Sequence, residues 1–304
     1  SYGTVNGKFY AAPNSANMKS LVWYSPKQFA KNGYTVPTTW DGMQALASKM
    51  AANKQTPWCG GLGSGTATGW PATDWVEEVV LRTQGAAVYN QWWQHKIPFN
   101  DPKIISAMGT VAKWLQDPAN VGDVKAIATR TFQAAGQAIP AGNGCMMLQQ
   151  ASFYATQFPA GTDVSPTGDA WAFYLPGINP AVTTPVEGGG EFFLAFNSKP
   201  ATVAVQNFLS SPQWAEELIS TYGKNGGWTT ANSGVPASAY KSPFDQFVAK
   251  YLGDKKSTFV FDASDLMPAA VGAGTMWTEF TNWFAGTKTT QQVADSIEAS
   301  WPKA

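Results

Sequence analysis

The sequence is poor in charge. Only 13% of its 304 residues are Asp, Glu, Lys or Arg, and 20 basic residues balance 20 acidic ones. No basic face is on offer to a phosphate backbone or to an anionic membrane surface, so neither partner is expected. Histidine is nearly absent, with His95 alone, and there are only two cysteines. That argues against a His/Cys metal site, and neither a metal nor a cofactor is expected. No apolar run approaches the length of a bilayer span. The glycine-rich stretch from Trp58 to Gly69 lacks the Gly-Lys-Ser/Thr ending of a phosphate loop, and no dinucleotide fingerprint is present. Its glycines are read as permitting tight turns and close backbone approach. The chain opens at Ser1 with neither a positive n-region nor an apolar h-region, which reads as processing or trimming.

Aromatic residues are what the sequence has in excess, with 14 Trp, 10 Tyr and 17 Phe. Some of these fill a core. A surplus over core demand implies flat apolar faces offered to a ligand. Cys59 and Cys145 lie far apart in similar contexts, Trp58-Cys59-Gly60-Gly61 and Gly144-Cys145-Met146-Met147. They fit one structural disulfide in an oxidising compartment, with two buried free thiols as the alternative.

Short β-forming runs (Gly7–Pro13, Ser20–Tyr24, Cys145–Leu148, Trp171–Pro176, Glu191–Phe196, Thr258–Phe261) alternate with helical patterns. Thr39 is placed to cap a helix in which Met43, Leu46, Ala47 and Met50 recur at helical spacing. Asp74 and Glu77 have capping-box spacing, so a helix is expected to start at Thr73. Asp101-Pro102 and Ser211-Pro212 are further cap-proline starts. Gln149–Phe158 reads as a short helix, Asn179–Gly190 as a crossover, and Pro268–Phe284 as a helix. The fold class is α/β. Two irregular crossovers in the second half suggest a chain that leaves one lobe and returns.

Several segments together resemble the extracellular solute-binding proteins of ABC sugar importers, the group of maltose-binding protein, and most closely their α-glucoside-binding branch. They are Asn6–Pro13 with Ser20–Tyr24, Thr38-Thr39-Trp40-Asp41, Ser64–Trp75, Gln149–Phe153, and Phe261–Pro268 followed by Trp277. The resemblance covers essentially the whole chain. It implies a two-lobed, periplasmic-binding-protein-like fold of type II, an oligosaccharide ligand such as an α-glucoside, and delivery to importer transmembrane subunits. It also implies a monomer that is extracytoplasmic, either periplasmic or a cell-surface lipoprotein. In that family roughly 100 residues, about a domain's worth, precede the segment that opens this chain. The first lobe is therefore expected to be incomplete, with 187–232 as its remaining part and 1–186 plus 233–304 as the second lobe.

A pyranose has an apolar C–H face and a rim of hydroxyls, so its site needs flat rings and oriented acceptors. The stacking candidates are Trp277, beside Gly272, Ala273 and Gly274, then Trp228 after Gly226-Gly227, and Trp70. Asp74, Asp262, Asp265, Gln150 and Phe153 complete the expected lining. Glu187, Asn17 and Lys19 sit at the expected hinge, touching either ligand or only the interlobe surface. The competing reading of each is structural: a cap for Asp74 or Asp265, core packing for the tryptophans. Trp75, Trp92, Trp93, Trp114, Trp214, Trp283 and Trp301 are assigned to packing. Two other functions remain open from sequence alone. One is a glycoside hydrolase, which needs two carboxylates across one bond. The other is a folded lobe without ligand function.

Overall fold

The computed structural model describes residues 2–222 and 226–303. Eleven strands run in chain order: β1 (Thr4–Val5), β2 (Lys8–Phe9), β3 (Ala11–Pro13), β4 (Asn17–Met18), β5 (Leu21–Tyr24), β6 (Thr56–Trp58), β7 (Cys145–Gln149), β8 (Trp171–Tyr174), β9 (Pro185–Gly189), β10 (Phe192–Leu194) and β11 (Thr258–Phe261). The helices are α1 (Pro26–Asn32), α2 (Trp40–Ala52), α3 (Trp70–Trp93), α4 (Pro102–Leu115), α5 (Pro118–Val121), α6 (Val124–Thr129), α7 (Phe132–Ala135), α8 (Pro200–Leu209), α9 (Pro212–Tyr222), α10 (Pro243–Gly253), α11 (Ala263–Leu266), α12 (Met276–Phe284) and α13 (Thr290–Ala299).

The main sheet has the order β6-β7-β5-β8. β5 is its spine, antiparallel to both β7 and β8, with Val22 opposite Gln149 on one side and Phe173 on the other. All four β5 residues are buried, as expected of a strand covered on both faces. Successive side chains point to opposite faces. Val22 and Tyr24 therefore join the larger core, built with α2, α3, α4, α12 and α13. Leu21 and Trp23 join a second core with Tyr154, Phe158, Phe244 and Val248. Cys59 and Cys145 are disulfide-bonded and tie the end of β6 to the start of β7. The closed loop spans 86 residues.

A second sheet, β11-β9-β4, stands beside the first. β11 runs parallel to β9 and β4 antiparallel to it. The chain passes from β4 to β5 through Lys19 and Ser20, so those two residues lie where the sheets meet. The stretch expected as a plain crossover, Asn179–Gly190, thus holds the buried centre of a sheet. Its signal was masked by proline and glycine, which usually mark turns.

The expected capping box is absent. α3 begins at Trp70, with Pro71 in its first turn and Gly69 (φ 117°) as its cap. Asp74 and Glu77 are therefore helix-interior residues, and both are buried. α3 is interrupted at Gly85, where φ is 78°. The helix expected over Gln149–Phe158 shrinks to a 3-10 turn at Ser152–Thr156, because Gln149 ends β7. The helix expected from Pro268 is a π turn (Val271–Thr275) leading into α12. Of the tryptophans assigned to packing, Trp75, Trp92, Trp114 and Trp283 are buried. Trp93, Trp214 and Trp301 are only half-buried, and Trp301 stacks on His95 with ring centroids 4.1 Å apart.

The antiparallel pair β3–β10 and helix α8 contrast with the sheets. α8 has no buried residue. Leu194, Val205 and Phe208 are exposed there, and Phe196 is 91% exposed.

Candidate functional site

α3 carries Asp74, Glu78 and Arg82 at four-residue intervals, which places them on one face of the helix. That face packs on β9, whose central residue is Glu187. Lys19 enters from the β4–β5 link and Asp262 from the end of β11. The result is a buried ionic group at the junction of the two sheets. The Lys19 ammonium donates to Asp74 Oδ1 at 2.6 Å and also to Asp262 Oδ2. Asp262 Oδ1 accepts from the Ser264 hydroxyl at 2.7 Å and from the Asp265 backbone N–H at 3.0 Å. It is Asp262, not Asp265, that caps the helix there.

Two neighbouring acids are fully engaged. Glu77 accepts from the backbone N–H groups of Ala263 (2.6 Å) and Ser264 (3.1 Å) and from the Tyr89 hydroxyl (2.9 Å). Glu78 pairs with Arg82 and accepts from Ser20 Oγ at 2.7 Å. Two others are not. Asp74 Oδ2 and both carboxylate oxygens of Glu187 are buried without a hydrogen-bond partner among the described residues.

The protonation equilibria follow from these partners. Burial alone would lower the Lys19 pKa, but Asp262, Asp74 and Glu187 outweigh it and hold the ammonium well above its ordinary value. Burial would raise the pKa of Asp262, yet Lys19, Ser264 and the Asp265 N–H bring it below the usual range. Lys19–Asp262 is thus the ionised pair. Burial dominates at Asp74, which is pushed up to about 7. At Glu187, burial together with the charges of Glu78 and Glu77 pushes the carboxyl well above its ordinary range.

Above this group lies an aromatic platform. Trp70 packs edge-on against Phe132 at 5.1 Å and against Phe153 at 6.0 Å, and Phe132 meets Phe153 at 6.1 Å. All three rings are half-buried. The Lys19 ammonium is 6.0 Å from the centroid of the Trp70 ring, so the ionic group supports the platform from beneath. Trp277 is also half-buried. It adjoins the start of α3 because Gly69 touches its backbone, where a Cβ would overlap the Trp277 carbonyl. The room expected beside it at Gly272 is taken, since a Cβ there would overlap the Ser264 carbonyl.

The expected residues therefore divide. Trp70, Phe153 and Trp277 gather near the start of α3 with faces partly open, and Asp265 is exposed nearby. Asp74, Asp262 and Glu187 gather too, but beneath the surface, all at most 3% exposed. Gln150 is buried and accepts from the Ala151 N–H at 2.8 Å. Asn17 lies within 3.5 Å of the Ser152 hydroxyl, beside the platform's 3-10 turn. Trp228 goes elsewhere: it stacks on Tyr222 at 6.1 Å and belongs to a small separate cluster with Ile219, Val235 and Tyr240. Only its loop reaches the platform, through Gly227 beside Thr156. Phe132 is the residue missed in the sequence. It follows a capping threonine at the start of a four-residue helix, and no local pattern separates it from a core phenylalanine. A cavity of about 840 Å³ opens in another place, lined among others by Tyr2, Pro13, Phe192, Tyr240 and Phe259. Among the described residues it has no carboxylate on its wall, and it lacks the open tryptophan rings of the platform.

The hydrolase alternative has no support here. A glycosidase needs two carboxylates facing a bond in an open site, whereas these acids are buried and face one another. Comparison with known proteins supplies the class. Residues 2–216 match the family described as bacterial extracellular solute-binding protein. Over 303 residues the chain is 35% identical to the osmoprotective compounds-binding protein GgtB of Synechocystis sp., covering 99% of this chain and 69% of that protein. It is 36% identical over 307 residues to the alpha-glucosides-binding periplasmic protein AglE of Rhizobium meliloti, covering 98% of this chain and 65% of that one. The chain thus spans about two thirds of the length of these relatives. The solved structure of the bacterial solute receptor AcbH superposes with a TM-score of 0.78 at 21% identity, over 98% of this chain and 72% of that one. The fold is that of the type II periplasmic solute-binding proteins. The chain belongs to the bacterial extracellular solute-binding protein family, and it is a binding protein, not an enzyme. Among the described residues no helix is long and apolar enough to cross a membrane.

Proposed function

We propose that the chain binds an oligosaccharide, with an α-glucoside as the preferred class, and serves an ABC importer as its extracytoplasmic receptor, periplasmic or lipid-anchored. The observation that carries this reading is the platform of Trp70, Phe132 and Phe153. Its three rings stay half-open and are gathered in one place at the start of α3. Trp277 flanks it, with a buried indole N–H that has no acceptor among the described residues. A sugar ring would supply a C–H face to the platform and a hydroxyl to that donor. Asp265 and Asn17 would complete the polar rim, with the buried Gln150 behind them. Asp74, Asp262 and Glu187 would act from below by fixing Lys19 and the base of the platform. The resemblance to AglE, the alpha-glucosides-binding protein of Rhizobium meliloti, supports the ligand class. For the lobes, residues 1–186 with 233–304 would form one body and 187–232 part of the other. The receptor would act as a monomer.

Calorimetric titration with maltose, maltotriose and trehalose, followed by intrinsic tryptophan fluorescence, tests the reading. Saturable heat with at least one of these sugars is expected, together with a weakening of about tenfold or more in Trp70→Ala, the loss of one stacked ring. Silence across the panel at millimolar sugar, or an unchanged affinity in Trp70→Ala, would end it.

A further inference from the structure

The buried acids at the sheet junction outnumber the bases there. Glu78 is matched by Arg82, and Glu77 is held by two backbone N–H groups and a tyrosine hydroxyl. Asp74, Asp262 and Glu187 remain, and Lys19 is the one cation that contacts any of them among the described residues. Three carboxyl groups share one ammonium, so two of them need either protons or a further cation to balance them in this buried place.

The atoms that lack partners are the ones facing this excess. Glu187 is 0% exposed, and both its carboxylate oxygens are unpartnered; Asp74 Oδ2 is unpartnered as well. One carboxylate oxygen from each of Asp74, Glu187 and Asp262 lies within 4.8 Å of the other two. Three oxygens with separations up to that limit can all lie within about 2.8 Å of a single ion, so a small inward shift brings them to the oxygen distance of calcium, about 2.4 Å. The Asp74 oxygen turned away from Lys19 is free for this role. Asp262 can join as well, because a carboxylate oxygen has more than one lone pair.

We propose that Asp74, Glu187 and Asp262 form a binding site for one divalent cation of the calcium class. Charge, geometry and the three orphaned oxygens all point to it. The composition argued against a His/Cys site, and from it no metal was expected. That argument does not reach an all-oxygen site assembled from residues 74, 187 and 262. The ion would fix α3, β9 and the end of β11 to one another directly below Trp70. This inference stands apart from the sugar reading, since it concerns the ion alone.

The test uses the intact chain freed of metal by chelation and then dialysed against calcium chloride at pH 7.5, with magnesium chloride and sodium chloride in parallel. One calcium per chain is expected by elemental analysis, and the Tm should rise by about 5 °C at calcium about a hundredfold above its Kd. Glu187→Gln keeps the shape of the side chain and removes its charge, and it should weaken calcium binding at least about tenfold. If that variant does not fold, Asp74→Asn takes its place. Failure of the wild-type chain to bind calcium at 5 mM (roughly the weak end of calcium-binding modules) would overturn the proposal. So would calcium binding that Glu187→Gln or Asp74→Asn leaves unchanged. Neither result bears on whether α-glucosides bind, which the titrations in calcium-free buffer decide separately.

Discussion

Two regions of this molecule are built on opposite plans. The β6-β7-β5-β8 sheet is covered on both faces, and Trp23 at its centre is fully buried against Phe244, Phe158 and Tyr154. The β3–β10 pair with α8 covers almost nothing and leaves Phe196 and Phe208 in solvent. Apolar burial is the main favourable term in folding, so the stability of the chain must be concentrated in the first region. The second follows the geometry of its neighbours instead of setting it.

The sharpest way to break that comparison is a pair of truncations. Trp23→Ala should cost about 3–5 kcal/mol, the usual penalty for removing a large buried ring. Phe208→Ala, at an exposed position, should stay within about 0.5 kcal/mol. Chemical denaturation of both variants measures the contrast, and similar losses would show that the α8 region carries core-like weight. Next in size is the disulfide. The bond between Cys59 and Cys145 closes an 86-residue loop, which in the chain-entropy account contributes at most about 4.5 kcal/mol. Replacing both cysteines by serine is expected to destabilise by about 2–4 kcal/mol, read as a fall in the denaturation midpoint. A change below about 1 kcal/mol would mean that β6 and β7 are held by their pairing alone.

The smallest effect concerns Asp245 on α10, which accepts from the Gly227 N–H at 2.8 Å beneath the Trp228 loop. Burial raises its pKa to about 6, against the opposing pull of the Gly227 and Trp228 N–H groups. An acid raised in the folded state keeps its proton there after the unfolded chain has lost it. Its contribution is therefore most favourable below the unfolded value near 4 and declines as pH rises to about 6, after which it stays constant. The decline should amount to at most about 3 kcal/mol. It should disappear in Asp245→Asn, seen as a flatter stability-pH curve between pH 4 and 6. An equal slope in that variant would assign the effect to other groups.

Much of the fold was readable because its signals are local. The Thr39 cap, the Asp101-Pro102 start and the apolar run of β5 all stand where their residues put them. The α3 start was drawn too late, because the Asp74–Glu77 spacing imitates a cap, whereas the helix begins at Trp70 with Pro71 in its first turn. At the site, Trp70 and Phe153 could be picked out from the sequence as candidate rings, and the structure brings them together. That the acids lie beneath the platform and not upon it was not legible. The arrangement depends on Lys19 meeting partners 55 and 243 residues away, and no local pattern encodes such a meeting. Trp228 misled for a related reason. A tryptophan after two glycines looks like a loop residue, but here the glycines let the loop fold its ring back onto Tyr222.

Gly69 has a consequence for motion. With no space for even a methyl group between it and the Trp277 backbone, the head of α3 and the head of α12 cannot slide past each other. Trp70 and Trp277 then travel as one rigid wall in whatever opening or closing the receptor performs. Any relative movement next to these two rings has to come from the side that faces this wall.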